Sequence, residues 1–163
     1  MQGINIYEVP VDDGMIGISP IPGGNGAYED DLLAIHGWGA KAVLTMTTMH
    51  ELEAVGAGQI ADHMAAMKID WHHLPISDFG APSAEVQRLW TDAADAAHTV
   101  LDAGGRVLTH CRAGCGRSGM AALRLLVERG ERPRAALERL REVRPCAVET
   151  DRQFLWAASW VAD

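Results

Sequence analysis

The stretch 106-RVLTHCRAGCGRSGMAALRLL-126 decides how this chain folds and where it can act. It opens on a short run of aliphatic and β-branched residues, which predicts a buried β-strand. Gly114 and Gly116 then predict a tight loop, and the apolar spacing that follows is typical of a helix. A strand, a glycine-rich loop and a helix are ordinary parts of an α/β domain, but none of them requires a cysteine at the hinge.

Strands and helices are predicted to alternate along the rest of the chain. Two apolar runs around 12-DDG-14 predict a hairpin, and KAVLTMT and IDWHHLPI predict two further strands. Ser83 is expected to cap a long helix, Pro133 to open another at its first position, and 151-DRQFLWAASWVAD-163 to form the last helix. This alternation predicts an α/β fold with a central mixed, mostly parallel sheet flanked by helices on both faces. We expect residues 1–163 to form a single domain.

Charge is distributed unevenly and limits the ligands that the chain can bind. Residues 1–105 carry 3 basic and 15 acidic side chains, a net charge of −12, whereas residues 106–163 carry 11 basic and 7 acidic, a net charge of +4. A domain-wide basic bias is absent, so nucleic acid is not an expected partner. The local positive region favours a small or locally anionic ligand, although most of its arginines are also expected on solvated helix faces. The sequence contains no apolar run long enough to span a membrane, and its first residues do not have the pattern of a signal peptide. We therefore expect a cytoplasmic protein without a membrane partner.

The loop after the predicted strand has the features of an anion site. Ligands of open α/β sheets bind where strands end and helices begin, and successive N–H groups in a tight loop converge on an anion. The same groups would hold Cys111 as a thiolate, and Arg117 would supply a planar fork for two oxygens of a phosphate-like group. The predicted cradle consists of Arg112, Ala113, Gly114, Cys115, Gly116 and Arg117.

The sequence H-C-R-A-G-C-G-R-S follows the pattern His-Cys-x5-Arg-Ser and resembles the cysteine-based protein phosphatases, especially the small dual-specificity, kinase-associated type. The resemblance implies a phosphatase-type fold and hydrolysis of phosphate monoesters through a phosphocysteine intermediate. Cys111 would be the nucleophile, Arg117 the phosphate clamp, and Ser118 the hydroxyl that eases departure of the thiolate. His110 would hold the loop by hydrogen bonding. No cofactor or metal is implied, and the expected partner is a phosphorylated protein or peptide.

Two further segments resemble the same family. An aspartate on an upstream loop protonates the leaving group in these enzymes, and WHHLPISDFGAPSAE places Asp78 there. RPCAVETDRQFLW resembles the loop before the last helix, which implies that Glu149 or Gln153 orders the hydrolytic water. The same residues are also typical of a helix N-terminus, and both interpretations can hold together.

The three cysteines are an odd and sparse set in a chain without a secretion signal, so we do not expect a structural disulfide framework. Cys115 is expected to fill a small apolar gap. Alternatively it could act as the resolving partner of an oxidised Cys111, and a disulfide from Cys146 to Cys111 also stays open.

Two other functions stay open at this point. A rhodanese-like or arsenate-reductase-like enzyme also uses a cysteine in an anion-binding loop, but it would not need Asp78. A non-catalytic phospho-binding module would need only the cradle, so the presence of Cys111, Arg117, Ser118 and an acid together favours an enzyme. The neighbouring His72 and His73 are expected to be structural, because they point to opposite faces of a strand and have no partners at zinc spacing.

Overall fold

A five-stranded sheet forms the centre of the molecule. The computed structural model describes residues 3–162. The strands lie in the order β1-β2-β5-β3-β4, and only β1 runs antiparallel to its neighbour. The predicted mixed, mostly parallel sheet is therefore confirmed. The strands are β1 (Tyr7–Val11), β2 (Gly14–Ser19), β3 (Ala40–Thr45), β4 (Asp70–His73) and β5 (Arg106–His110).

Seven helices among the described residues cover both faces of this sheet. The first three pack with one apolar core, and the other four pack with a second core on the opposite face. None of the helices in residues 3–162 is both long and apolar enough to cross a bilayer. The helices are α1 (Tyr28–Trp38), α2 (Met49–Ala54), α3 (Ile60–Ala66), α4 (Ala84–Asp102), α5 (Gly116–Glu128), α6 (Pro133–Val143) and α7 (Asp151–Ala158).

Strand β5 lies in the middle of the sheet and is buried on both sides. Val107 packs into the core of α4 to α7, and the next residue, Leu108, packs into the core of α1 to α3, because successive side chains of a strand point to opposite faces. Its parallel neighbours β2 and β3, and β4 beyond β3, end at the same edge of the sheet as β5. Cys111 follows β5 directly and so lies at the edge where ligands of such sheets bind.

Most predicted element boundaries agree with the structure, and one is wrong. The hairpin around Asp12 is present, Ser83 caps α4 by accepting a hydrogen bond from Val86 N at 3.2 Å, and Pro133 is the first residue of α6. The last helix ends at Ala158 instead of continuing over the final residues, of which Asp163 lies outside the described part.

The early end of α7 has a local cause. Arg124 Nη1 donates to the carbonyl of Trp156 at 2.6 Å, and Ser159 Oγ donates to the same oxygen at 3.0 Å. These donors occupy an acceptor that a further helical turn would use. The helix therefore ends where side chains replace its backbone hydrogen bonds.

A buried carboxylate joins α4 to α5. Glu128 accepts hydrogen bonds from Trp90 Nε1 at 2.8 Å, His98 Nε2 at 2.8 Å and Arg124 Nε at 2.9 Å. Arg129 Nη1 lies 3.1 Å from His98 Nδ1 and can only donate to it, which assigns the ring proton to Nε2. Burial raises the pKa of Glu128, but these hydrogen bonds outweigh burial and leave that pKa below its ordinary value.

Replacing Glu128 with alanine should lower the free energy of unfolding by about 3–5 kcal/mol, because it leaves buried donors and a buried cation without their partner. Urea unfolding followed by tryptophan fluorescence measures this change. The matched control is Glu138→Ala on the exposed side of α6, for which a change within about 0.5 kcal/mol is expected. Equal effects of the two substitutions would contradict a structural role for the Glu128 cluster.

Candidate active site

Residues 112–117, which follow β5 and Cys111 and run into the first turn of α5, are called the phosphate loop below. Cys111 stands immediately before it, with only 3% of the residue exposed. Its Sγ lies 3.1 Å from Ser118 Oγ, in the first turn of α5. The structure thus brings the predicted nucleophile and the predicted hydroxyl group into direct contact.

The peptide groups of the phosphate loop share one orientation. Every peptide bond among the described residues is trans, so the N–H that follows each carbonyl points away from it. The N–H groups of residues 112–115 donate to no acceptor in the described part of the chain and are free to converge on an anion. Four consecutive loop carbonyls accept from donors outside the loop: Arg112 O from Ile21 N, Ala113 O and Gly114 O from the Arg144 guanidinium, and Cys115 O from Val148 N.

Both glycines of the loop lie in close contact with neighbouring atoms. Gly114 has a φ of +74°, and a Cβ there would lie 2.8 Å from Pro20 N and from the carbonyl carbon of Ser19. A Cβ on Gly116 would collide with the carboxylate of Glu149. A larger residue at Gly114 would displace the loop backbone, whereas one at Gly116 would force the side chains of Glu149 and Gln153 to move.

Arg117 is a fully buried cation, and three hydrogen bonds to protein acceptors engage only part of its guanidinium. Nη1 and Nη2 donate to the two carboxylate oxygens of Glu51 at 2.7 and 2.9 Å, and Nη1 also donates to Ile76 O at 2.7 Å. Its side chain has no exposed surface, yet Nε has no hydrogen-bond partner among the described residues. An unpaired buried donor on a charged group is costly, and an anion in the phosphate loop would satisfy it.

Glu51 is a site residue that the sequence analysis did not identify. The pattern 48-TMHE-51 is a capping box, and both of its hydrogen bonds form at the start of α2. That signal predicts a helix start but not a partner 66 residues away. The hydrogen bond from Arg117 is the largest of the effects that lower the pKa of Glu51 to about 2.

Asp78 lies beside this pair, as the resemblance implied. Its Oδ1 is 3.4 Å from Arg117 Nη2, and 44% of the side chain is exposed. A turn closed by the hydrogen bond from Gly80 N to Ser77 O at 2.9 Å shapes the surrounding loop. Phe79, which the sequence analysis also overlooked, adopts a φ of +63° with 59% of the residue exposed.

His110 lies behind the nucleophile in a chain of hydrogen bonds. Trp71 Nε1 donates to Thr45 Oγ1 at 2.7 Å, and Thr45 Oγ1 lies 2.7 Å from His110 Nε2. Burial is the largest cause that lowers the pKa of His110 to about 4, so the ring is neutral near pH 7. His72 and His73 bond elsewhere, to Asp70 and to a backbone carbonyl, and the described residues contain no metal-binding cluster.

Glu149 and Gln153 both reach the phosphate loop at Gly116, but their side chains differ in the hydrogen bonds that they make. The Gln153 amide accepts from Glu149 N and Thr150 N at 2.8 and 3.2 Å and donates to Gly80 O at 3.1 Å. Thr150 caps α7, which agrees with the helix N-terminus interpretation. The Glu149 carboxylate makes no hydrogen bond to the described residues and is free to bind water.

The predictions for the cysteines need correction. Cys115 and Cys146 form a disulfide, with Cα atoms 5.1 Å apart, and Cys111 is free. Cys115 is therefore neither an apolar filler nor the partner of Cys111, and Cys146 does not pair with Cys111 either. The chain after α6 returns behind the phosphate loop and brings Cys146 there. The two cysteines are 31 residues apart, a spacing that does not indicate a disulfide from sequence alone.

Comparison with known proteins finds a phosphatase family model and a curated relative that match this chain. The family described as "Tc-R-P: Polymorphic toxin system, DSP-PTPase phosphatase" matches residues 16–131. Cyclin-dependent kinase inhibitor 3 of Mus musculus is 30% identical over 128 residues, which are 77% of this chain and 59% of that relative. The chain thus spans less than two thirds of the curated relative it matches.

Two solved structures extend this similarity to the whole fold. Kinase associated phosphatase, crystallised with its catalytic-site cysteine replaced by serine, has a TM-score of 0.83 at 22% identity and covers 96% of this chain and 93% of that chain. Tk-PTP in its active form is 30% identical with a TM-score of 0.69, covering 90% of each chain. The predicted phosphatase-type fold is confirmed.

Replacing Glu51 with glutamine should lower the free energy of unfolding at pH 7 by about 1–3 kcal/mol, because an amide cannot accept both charged hydrogen bonds. The folded-state pKa of about 2 lies below the ordinary 4.5, so the carboxylate stabilises the fold fully above pH 4.5 and loses this effect as the pH falls toward 2. The difference between the two proteins in urea unfolding should narrow over that range. Glu53→Gln, on the exposed side of α2, is the control, and a Glu51 effect independent of pH would disprove the assignment.

Proposed function

The chain belongs to the DSP-PTPase phosphatase family of polymorphic toxin systems, and we propose that it hydrolyses phosphorylated proteins or peptides through a phosphocysteine intermediate. Proteins similar to this chain are protein-tyrosine and dual-specificity phosphatases. One observation carries this proposal. Arg117 is a buried guanidinium with an unpaired Nε, in the loop whose free N–H groups follow Cys111. A phosphoryl group is the ligand that satisfies a planar fork and several N–H donors together.

In the first step the Cys111 thiolate attacks phosphorus. The S–P bond forms while the bond from phosphorus to the ester oxygen breaks, and Asp78 gives its proton to that oxygen. Arg117 and the loop N–H groups bind the equatorial oxygens and stabilise their charge in the transition state. Glu51 supports this step by fixing the guanidinium edge that faces away from the phosphate.

In the second step water attacks the phosphocysteine. Asp78, now ionised, takes a proton from the water, and the S–P bond breaks to release phosphate. Ser118 Oγ, 3.1 Å from Sγ, donates to the departing thiolate. We assign the ordering of this water to Glu149, because the Gln153 amide already bonds to three backbone groups.

The rim of the site suggests what surrounds the phosphate in a substrate. Arg112 is exposed at the rim and adds a positive charge, which favours acidic phosphopeptides. Phe79 follows Asp78, and a bulky residue that is exposed and held at positive φ is unfavourable unless it has a function. We assign it to contact the leaving group, which favours phosphotyrosine over phosphoserine.

The organisation and compartment of the protein are also proposals. We propose that residues 1–163 act as one catalytic domain. We propose the cytoplasm as its compartment, because Cys111 acts only as a reduced thiol. The Cys115–Cys146 disulfide is the feature that argues for a more oxidising environment. Trapping of the thiols in intact cells, followed by mass spectrometry, distinguishes the two.

Hydrolysis of para-nitrophenyl phosphate tests the two proposed catalytic roles. Cys111→Ser should lose at least about 10³-fold in kcat because the intermediate cannot form. Asp78→Asn should lose about 10²-fold or more, and more with phenyl phosphate, whose leaving oxygen depends more strongly on an acid. Asp92→Asn, an exposed aspartate of α4, is the control and should retain activity.

The same variants separate the other functions. Binding of a phosphopeptide by wild type without any turnover indicates a phospho-binding module. Turnover of thiosulfate or arsenate, unaffected by Asp78→Asn, indicates sulfur or arsenic chemistry. Either result would overturn the phosphatase proposal.

Phe79→Ala tests the proposed contact with the leaving group. It should raise KM for a phosphotyrosine peptide by roughly three- to tenfold, the range expected for one aromatic contact, and leave KM for the matched phosphoserine peptide unchanged. Leu155→Ala removes an exposed apolar side chain from α7 and serves as the control. An equal rise for both peptides would contradict recognition of an aromatic ring.

A further inference from the structure

We propose that Arg144 is a positioning residue for the phosphate loop, an inference that rests on the proposed function of that loop as a phosphate cradle. Arg144 Nη2 donates to Ala113 O and Nε donates to Gly114 O, both at 2.9 Å. The guanidinium binds the loop from its outer side, so it acts on the phosphate only through the loop backbone.

The two hydrogen bonds fix the direction of two N–H groups. Because both peptides are trans, holding Ala113 O and Gly114 O outward turns the N–H groups of Gly114 and Cys115 away from Arg144. A peptide flip would instead place a carbonyl oxygen where an anion must bind. A charged donor that engages both carbonyls in one plane opposes that flip more strongly than water does.

Arg144 is itself held by elements outside the loop. Its guanidinium carbon lies 4.2 Å from the ring centroid of Tyr7 on β1, a cation–π contact. Its backbone N donates to Leu140 O at 2.9 Å at the end of α6, and Pro145 restricts the residue from the other side. The guanidinium therefore reaches the loop from a fixed support.

The disulfide provides a second link between the same two segments. Cys115 lies in the phosphate loop and Cys146 lies two residues after Arg144, and Arg144 Nη2 is 3.8 Å from Cys115 Sγ. Dithiothreitol reduces this bond to two thiols and is itself oxidised to a cyclic disulfide. After reduction the loop depends more heavily on Arg144, so loss of both links should weaken phosphate binding by more than the two separate losses combined.

Calorimetric titration with inorganic phosphate tests the proposal without relying on turnover. Arg144→Ala should bind phosphate about tenfold more weakly than wild type in the oxidised protein, and more weakly still after reduction. Arg144→Lys should lie between the two, since an ammonium group cannot engage both carbonyls in one plane. The matched control is Arg139→Ala on α6, the helix that ends just before Arg144, which also loses hydrogen bonds to a backbone carbonyl and a carboxylate and should bind phosphate as wild type does.

A second readout distinguishes positioning from general stability. Guanidinium ion at a non-denaturing concentration should restore phosphate affinity to Arg144→Ala and leave Arg139→Ala unchanged. Should Arg144→Ala fail to fold by circular dichroism, Arg144→Lys decides alone, and wild-type phosphate affinity in that variant overturns the proposal. Equal phosphate affinity in wild type and Arg144→Ala, oxidised and reduced, overturns it as well. Wild type that binds no phosphate instead contradicts the cradle, and with it the proposed function.

Discussion

The burial of one guanidinium constrains most of the site. Arg117 has no exposed side-chain surface, and a buried cation must be paired and hydrogen-bonded to be tolerated. Glu51 provides the pairing from α2, and Ile76 provides a carbonyl from the segment after β4. The phosphate loop, α2 and the loop of Asp78 therefore converge on one side chain, which fixes their relative positions.

Arginine has a wider structural use in this protein. Four arginines other than Arg117 donate to backbone carbonyl oxygens, and two of them donate to two carbonyls each. The planar fork makes such paired contacts in a way that lysine cannot, which gives a physical reason for 12 arginines against 2 lysines. The basic excess after the phosphate loop thus serves the fold. The four arginines that bind carbonyl oxygens are Arg124, Arg139, Arg141 and Arg144. Arg117 also donates to the carbonyl of Ile76, while Arg129 instead binds the carboxylates of Asp12 and Asp102.

The sequence predicted the parts that are encoded locally. Strand β5, the glycine loop and α5 follow one another within 23 residues, and their pattern placed Cys111, Arg117 and Ser118 correctly relative to one another. The order of the elements was enough to place Asp78 at the same sheet edge. Glu51, Arg144 and the Cys115–Cys146 disulfide were not predicted, because each depends on a contact between residues that lie far apart in the sequence. Only the folded structure reveals such contacts, since the local sequence around a capping box, an arginine or a single cysteine does not identify its distant partner.

The hydrogen bond from Gln153 to Gly80 connects the C-terminal helix to the loop that carries Asp78. Through its other amide atom, Gln153 also closes the capping box of α7, so one side chain ties the start of that helix to the acid loop. Helix α7 therefore helps to hold the loop of Asp78 beside the phosphate loop. With Asp78 as the proposed acid and Cys111 as the proposed nucleophile, we expect that a fusion partner or binding protein that lifted α7 from the core would withdraw Asp78 without touching Cys111, and the protein would then bind phosphate esters that it cleaves poorly.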